Sequence, residues 1–139
     1  MAVDFSCMSP GDYDAVIELW RTAEGIGLSD ADSQEAIARY LQRNPGLSFI
    51  ARDAGRMVGA ALCGHDGRRG YLHHLAVARS HRYRGVGTAL VDRCLAALRA
   101  AGIPKCHLFV FQQNPGGQAF WQRSGWQKRE DLVLMSRNL

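Results

Sequence analysis

Several features of secreted and membrane proteins are absent from this sequence of 139 residues. No apolar run approaches the roughly 20 residues that a membrane-spanning helix requires. The first residues, MAVDFSCMSPGDYD, lack the basic start and apolar block of a signal peptide. The four cysteines form neither a C-x-x-C pair nor a Cys/His cluster at metal-binding spacing. We therefore predict a cytoplasmic protein with free thiols, no metal site and no membrane association.

Acidic residues are scarce in most of the chain, although the net charge is only +4. Residues 1–35 contain eight acids against Arg21 as the one base, a net charge of −7. Residues 36–139 contain sixteen bases and five acids, a net charge of +11. This separation predicts two ligands of opposite sign; the alternative is that the acids only keep two N-terminal helices solvated. The length suits one domain with a sizeable core, so we predict a single domain over residues 1–139.

The order of the predicted elements indicates a mixed α/β domain. VDFSCM predicts a strand. Ser9 as the N-cap and Pro10 at the first helical position predict a helix whose apolar stripe runs from Tyr13 to Trp20. Asp32 or Ser33 opens a second predicted helix with Ile37, Tyr40 and Leu41 on its inner side. LSFIARD and RMVGAALCGHD predict a hairpin, and GYLHHLAVA predicts a further strand. A helix from about Gly85 to Ala101, a strand in KCHLFVF, a short helix in GGQAFWQRS and one or two closing strands in WQKREDLVLMSRNL complete the order.

A basic, glycine-rich loop, ARSHRYRGVGTAL, lies between the strand GYLHHLAVA and the long helix. The first N–H groups of a helix have no internal partner and attract anions, and Gly85 and Gly87 let the backbone approach a ligand closely. Arg82 and Arg84 add charged donors, so the loop suits a pyrophosphate. No lysine follows Gly87, which excludes a P-loop, and Leu90 stands where a Rossmann fingerprint needs a small residue. The pattern that remains is R-x-x-G-x-G.

With that loop, three further stretches resemble the GNAT superfamily of acetyl-CoA-dependent N-acetyltransferases: LAV before the loop, then KCHLFVFQQN and AFWQRSGW. The resemblance covers essentially the whole chain, and the turn GHDGRRGYLHHLAV is similar to the YpeA-like branch. It implies a mixed, mostly antiparallel sheet of six to seven strands with four helices. The two central strands of that sheet would splay apart to hold acetyl-CoA.

The resemblance also implies which residues bind the cosubstrate. Backbone groups at residues 75–77 would pair with the pantetheine arm, residues 82–88 would hold the pyrophosphate, and Asn114 would bond the pantetheine or cap the short helix. The expected cosubstrate-binding residues are Leu75, Ala76, Val77, Arg82, Tyr83, Arg84, Gly85, Val86, Gly87, Thr88, Asn114, Phe120 and Trp121.

The acid–base residues do not follow from the resemblance. Relatives often protonate the leaving thiolate with a tyrosine, but Trp121 stands at that place, and an indole N–H is a donor rather than a useful acid. Candidates for the base are His73, His74 and Glu24, and strand alternation predicts that at most one of the two histidines faces the cleft. Glu24, Asp30 and Asp32 are alternatives for holding the cation of a substrate.

These residues predict an N-acetyltransferase that moves acetyl from acetyl-CoA to a primary amine by direct attack. The acidic N-terminal region favours a small cationic amine or a peptide N-terminus as the acceptor. The alternative is a non-catalytic acyl-CoA-binding module, because Trp121 replaces the tyrosine. A nucleic-acid-binding function is disfavoured, because no aromatic-basic stripe or recognition-helix pattern is present. We expect a monomer or homodimer without a metal.

Overall fold

The computed structural model describes residues 2–139, which divide into two compact units, residues 2–109 and 110–139. The first unit contains strands β1 (Val3–Cys7), β2 (Phe49–Asp53), β3 (Arg56–His65), β4 (Gly70–Val77) and β5 (Cys106–Leu108) and helices α1 (Tyr13–Thr22), α2 (Gln34–Arg43) and α3 (Val86–Ala100). The second unit contains helix α4 (Pro115–Arg123). No helix within residues 2–139 is long and apolar enough to cross a membrane.

The five strands of the first unit form one sheet in the order β1-β2-β3-β4-β5. The first four strands are antiparallel neighbours. Strand β5 runs parallel to β4, because α3 connects these two strands as a crossover. The predicted hairpin is confirmed: β2 and β3 pair antiparallel, and the turn residues Ala54 and Gly55 both have positive φ, 51° and 79°, as a tight hairpin requires.

Helices cover both faces of this sheet. On one face, α1 and α2 pack over a core that includes the fully buried Trp20 together with Ala60 of β3 and Ala76 of β4. On the other face, α3 packs so closely that a Cβ added at Gly59 would lie 2.9 Å from Leu90 Cδ1. Each predicted helix of this unit therefore places its apolar stripe on the sheet, as the hydrophobic periodicity indicated.

Polar side chains fix the starts of two helices where the sequence predicted them. The Ser33 hydroxyl accepts a hydrogen bond from the Ala36 N–H at 3.2 Å, which caps α2. The Asn114 side-chain oxygen accepts from the Gly117 N–H at 3.0 Å, which caps α4. Both caps satisfy N–H groups that a helix leaves unpaired in its first turn.

The expectation of six to seven strands is wrong, because residues 2–139 form a sheet of five. The closing strands predicted in residues 126–139 do not form within the second unit, and β5 spans three residues of the predicted KCHLFVF strand. A strand exists only where its backbone pairs with a neighbour, and local propensity does not provide that neighbour. In the tail the apolar side chains at Leu132–Met135 are consecutive rather than alternating, and all four are exposed.

Candidate functional site

A β-bulge in β4 brings His73 and His74 to the same side of the sheet. The register between β3 and β4 shifts between Ala60 and Leu62, so that β4 has one extra residue there, and His74 has a φ of +52°. The prediction that alternation sends one histidine away from the cleft is wrong, because both side chains line one cavity. The extra residue cancels the alternation at this point.

A hydrogen bond holds the His74 ring against Asp32. His74 Nε2 lies 2.8 Å from Asp32 Oδ1, and the ring meets Trp20 edge-on with centroids 4.9 Å apart. Asp32 is 6% exposed, and its Oδ2 accepts from the Ser29 N–H at 3.0 Å. Both carboxylate oxygens are therefore engaged. The sequence alternative that Asp32 holds a substrate cation loses its support, because this acid already fixes His74.

The surroundings of His73 keep its imidazole neutral. The ring stacks with Tyr71 and Phe109 at centroid distances of 6.4 and 6.3 Å and meets Tyr40 edge-on at 6.3 Å. Burial lowers the pKa of His73, and the neighbouring His74 lowers it further. Within residues 2–139 no hydrogen bond engages its ring nitrogens. His73 is therefore neutral at pH 7 and able to accept a proton.

A cavity of about 810 Å³ opens beside both histidines. This volume is in the range of small-molecule sites. Leu62 and Ile37 give the cavity an apolar floor, while Arg39, Tyr40 and Arg43 of α2 form one wall. Burial raises the pKa of Tyr40, so its phenol keeps its proton at neutral pH.

The edge of β4 that faces β5 is only partly paired. The two strands pair at three positions, from Gly70 with Cys106 to Leu72 with Leu108. Beyond Leu72, residues 73–77 have no strand partner on this side within residues 2–109. Unpaired strand edges offer backbone donors and acceptors to an extended ligand. The predicted pantetheine contacts at residues 75–77 fall on this edge.

The glycine loop begins where β4 ends. Gly85 has a φ of +80° just before α3, and nothing lies within 4 Å of the position that its Cβ would occupy. Arg82 Nε donates to the Val77 carbonyl at 3.2 Å, which holds this arginine at the end of β4. His81 is buried, and its Nε2 lies 2.7 Å from Asp53 Oδ2. This contact anchors the loop to β2.

Four other predicted loop residues differ in their surroundings. Tyr83 is fully exposed and has a φ of +62°. Val86 is buried, so only its backbone N–H can serve a ligand. Gly87 and Thr88 belong to the first turn of α3, where no acidic side chain competes for an anion. The arrangement suits a phosphate group.

The remaining predicted residues lie in the second unit. Asn114 caps α4, as the sequence indicated for one of its two roles. Phe120 and Trp121 meet edge-on at 5.0 Å, and Trp121 also meets Trp126 at 5.4 Å. These contacts define an aromatic cluster on α4 and on the segment that follows it.

Glu24 differs from the two histidines in its position. Its carboxylate pairs with Arg79, both side chains are mostly exposed, and Glu24 does not line the cavity. Sequence reasoning missed Arg39 and Arg43, which are spaced four residues apart on α2 and resembled an ordinary solvated face. No group of three or more His, Cys, Asp or Glu side chains in residues 2–139 could hold a metal ion.

Comparison with known proteins identifies the family. Residues 13–126 match the acetyltransferase (GNAT) family. The chain belongs to this family. The chain is 32% identical over 126 residues to an acetyltransferase of Pectobacterium atrosepticum. This alignment covers 91% of this chain and 89% of the relative. The chain is 30% identical over 128 residues to an acetyltransferase of Sodalis glossinidius, with 92% and 89% covered.

Solved structures have the same GNAT fold. The PaiA N-acetyltransferase of Thermoplasma acidophilum, in complex with coenzyme A, aligns with a TM-score of 0.81 at 20% identity, covering 94% of this chain and 92% of that chain. AAC(6')-Iy, in complex with the bisubstrate analogue CoA-S-monomethyl-acetylneamine, aligns with a TM-score of 0.79 at 20% identity over 100% of both chains. The family match and the named relatives show that the chain is an enzyme, an acetyltransferase of the GNAT family.

Proposed function

We propose that this enzyme transfers acetyl from acetyl-CoA to a primary amine by direct attack. The observation that carries the proposal is the unpaired edge of β4, with His73 at its start and the basic glycine loop beyond its end. In this arrangement residues 75–77 bind the pantetheine arm through the backbone, and residues 82–88 bind the pyrophosphate. Open space at Gly85 lets the phosphate groups approach the first turn of α3.

The chemistry requires a neutral amine beside the thioester. Acetyl-CoA contributes the thioester, whose carbonyl carbon forms a C–N bond with the amine while the C–S bond breaks. Coenzyme A leaves as its thiolate, which takes up the proton that the acetylated nitrogen loses. His73 accepts the proton of the ammonium, because its imidazole is neutral and lines the acceptor cavity. His74, fixed by Asp32, positions the bulge that places His73. Trp121 packs among aromatic rings, and its indole is not the acid for the thiolate.

The sequence predicts a small cationic amine or a peptide N-terminus as the acceptor. AAC(6')-Iy, bound to its bisubstrate analogue, is an aminoglycoside N-acetyltransferase. In this chain, two of the three acids that favoured a cationic acceptor are engaged, Glu24 by Arg79 and Asp32 by His74. The proposed reacting group is therefore a primary amine, and these two acids do not favour a second positive charge on the acceptor.

Further features belong to the same proposal. Residues 1–139 act as one N-acetyltransferase domain, which is supported by the family match from residue 13 to residue 126. Membership of the YpeA-like branch rests on the turn of residues 64–77. A cytoplasmic location fits four free cysteines. The enzyme acts as a monomer or homodimer and needs no metal or nucleic acid.

Release of coenzyme A thiol in the presence of a panel of primary amines tests the proposal, with mass spectrometry of the acetylated product. We expect thiol release that depends on the amine, and weaker acetyl-CoA binding in Arg82→Ala, which removes charged contacts to phosphate. If no amine accelerates thiol release and Arg82→Ala binds acetyl-CoA as tightly as the parent, the proposal is wrong.

A further inference from the structure

The free charges beside His73 in the cavity are positive. Arg39 and Arg43 lie four residues apart on α2, line the cavity and are exposed. Neither side chain forms a hydrogen bond or ion pair with any other part of residues 2–139. Because residues four apart lie on one side of a helix, the two guanidinium groups can converge on one ligand group.

The cavity offers no free acid to balance these charges. Asp32 is the one acidic residue among the described residues that line it, and it is buried. Its Oδ1 pairs with His74 Nε2 at 2.8 Å, and its Oδ2 accepts from the Ser29 N–H at 3.0 Å. A second ammonium group on an acceptor would therefore meet two guanidinium groups and no available carboxylate, which is unfavourable.

We propose that the acceptor is a small amine that also carries a carboxylate. This inference rests on the proposed acetylation of a primary amine. The amine lies at His73, and the carboxylate binds Arg39 and Arg43, whose planar guanidinium groups form paired, charge-assisted hydrogen bonds with carboxylates.

The lining of the cavity suits a small molecule of this kind. Tyr40 lies between Arg39 and Arg43 on α2, and its ring meets the His73 ring at 6.3 Å, so α2 and the base line the same cavity. Leu62 and Ile37 are buried apolar residues of the same lining. An apolar floor suits the carbon chain that connects an amine to a carboxylate.

A matched series of acceptors tests this charge preference. The series consists of an ω-amino acid, its primary amide and the α,ω-diamine of the same chain length, each measured for kcat/KM by thiol release. We expect the amino acid to be the best acceptor and the diamine the poorest. The amide has the same amine but lacks the carboxylate. The difference in kcat/KM between the amino acid and the amide therefore measures the contribution of the arginines.

Variants of α2 connect that preference to the two arginines. Arg39→Gln and Arg43→Gln should each lower kcat/KM for the amino acid by roughly tenfold to a hundredfold and leave the amide almost unchanged. The double charge reversal, Arg39→Glu with Arg43→Glu, should make the diamine the preferred acceptor. Arg99→Gln is the matched control: it removes an exposed arginine from α3, on the opposite face of the sheet.

The outcomes separate this inference from the proposed function. A diamine or amide acetylated as well as the amino acid, or glutamine variants that preserve the parent's selectivity, overturns the inference while amine acetylation stands. An active enzyme that acetylates other amines but none of this series overturns it as well. If no amine of any class is acetylated, the proposed function and the inference fall together. Melting temperatures of the variants establish that they fold.

Discussion

At the scale of single residues, the two adjacent histidines have separable tasks. His73 is neutral and without a hydrogen bond in the described chain, and its pKa lies below the ordinary value of 6.5 because the ring is buried. A base must be unprotonated to act, so kcat/KM should fall only when the pH drops below 6.5. We expect His73→Gln to lower the rate by about a hundredfold or more. The variant should also lose the fall of kcat/KM at acidic pH, which is the acid limb of the pH profile.

Two other histidine variants serve as controls for that pH profile. His74→Gln weakens the contact with the buried Asp32, so it should lower the melting temperature while the acid limb persists. His65→Gln changes a histidine that does not line the cavity, and it should preserve both rate and profile. An unchanged acid limb in His73→Gln would assign the base to another group.

Gly64 is required because Tyr40 packs on it. A Cβ at Gly64 would lie 2.4 Å from the Tyr40 hydroxyl and 2.7 Å from Asn44 Cγ, so both side chains must move. We expect Gly64→Ala to lower the free energy of unfolding by about 1–3 kcal/mol and to raise KM for the acceptor, since Tyr40 lines the cavity. Urea denaturation measures the first effect and initial rates measure the second.

Gly11→Ala is the control for this substitution, because its Cβ would meet only Ser9 Oγ, at 3.9 Å. It should leave both quantities nearly unchanged. A Gly64→Ala protein as stable as the Gly11→Ala protein would mean that Tyr40 moves without cost, contrary to the packing argument.

At the scale of elements, the parts that local patterns specify were predictable. The α2 stripe from Ile37 to Leu41 and the hairpin turn at Gly55 depend on periodicity and on residues with positive φ. The bulge at His74 was not predictable, because it depends on the register between two strands rather than on the sequence of one. For the same reason the joint placement of both histidines was missed, and so was the role of α2 as a cavity wall.

The N-terminus of α3 carries the element-scale prediction about phosphate binding. Gly85 and Gly102 flank the two ends of this helix, and their φ values are nearly equal, +80° and +82°. Aspartate at either position should therefore impose a similar backbone strain and a similar loss of stability. Only Gly85→Asp also places a negative charge at the proposed pyrophosphate site.

Calorimetry of coenzyme A binding distinguishes strain from charge. We expect Gly85→Asp to weaken binding by about tenfold or more and Gly102→Asp to leave the affinity unchanged, at comparable melting temperatures. Equal affinities for coenzyme A in the two variants would show that this loop does not bind the pyrophosphate, whatever the stabilities of the variants.

At the scale of the whole molecule, the stability varies with pH because some buried groups titrate below neutral pH and others titrate above it. The pKa of His73 is lowered in the folded state. The contribution of this histidine to the stability of the fold is therefore present above pH 6.5 and is lost as the pH falls. The buried thiols of Cys94 and Cys106 give stability the opposite dependence on pH. Contact with Cys63 and burial raise the pKa of Cys94, and burial raises the pKa of Cys106 to about 12. Their contributions are present below the ordinary value of 9.0 and are lost above it.

The buried thiol of Cys94 should make the protein lose stability at alkaline pH, and an exposed cysteine of the same chain serves as the control. Above pH 9.0 the unfolded chain releases the Cys94 proton while the folded protein retains it, so the free energy of unfolding should fall by about 1.4 kcal/mol per pH unit for this thiol. Cys94→Ala should be less stable at neutral pH, because it leaves a cavity, but it should lose stability less steeply between pH about 8 and about 10. Cys7 is exposed, so Cys7→Ala should keep the parent's slope. Urea denaturation across this pH range measures both slopes, and parallel curves for the two alanine variants would show that the buried thiol does not produce the alkaline loss.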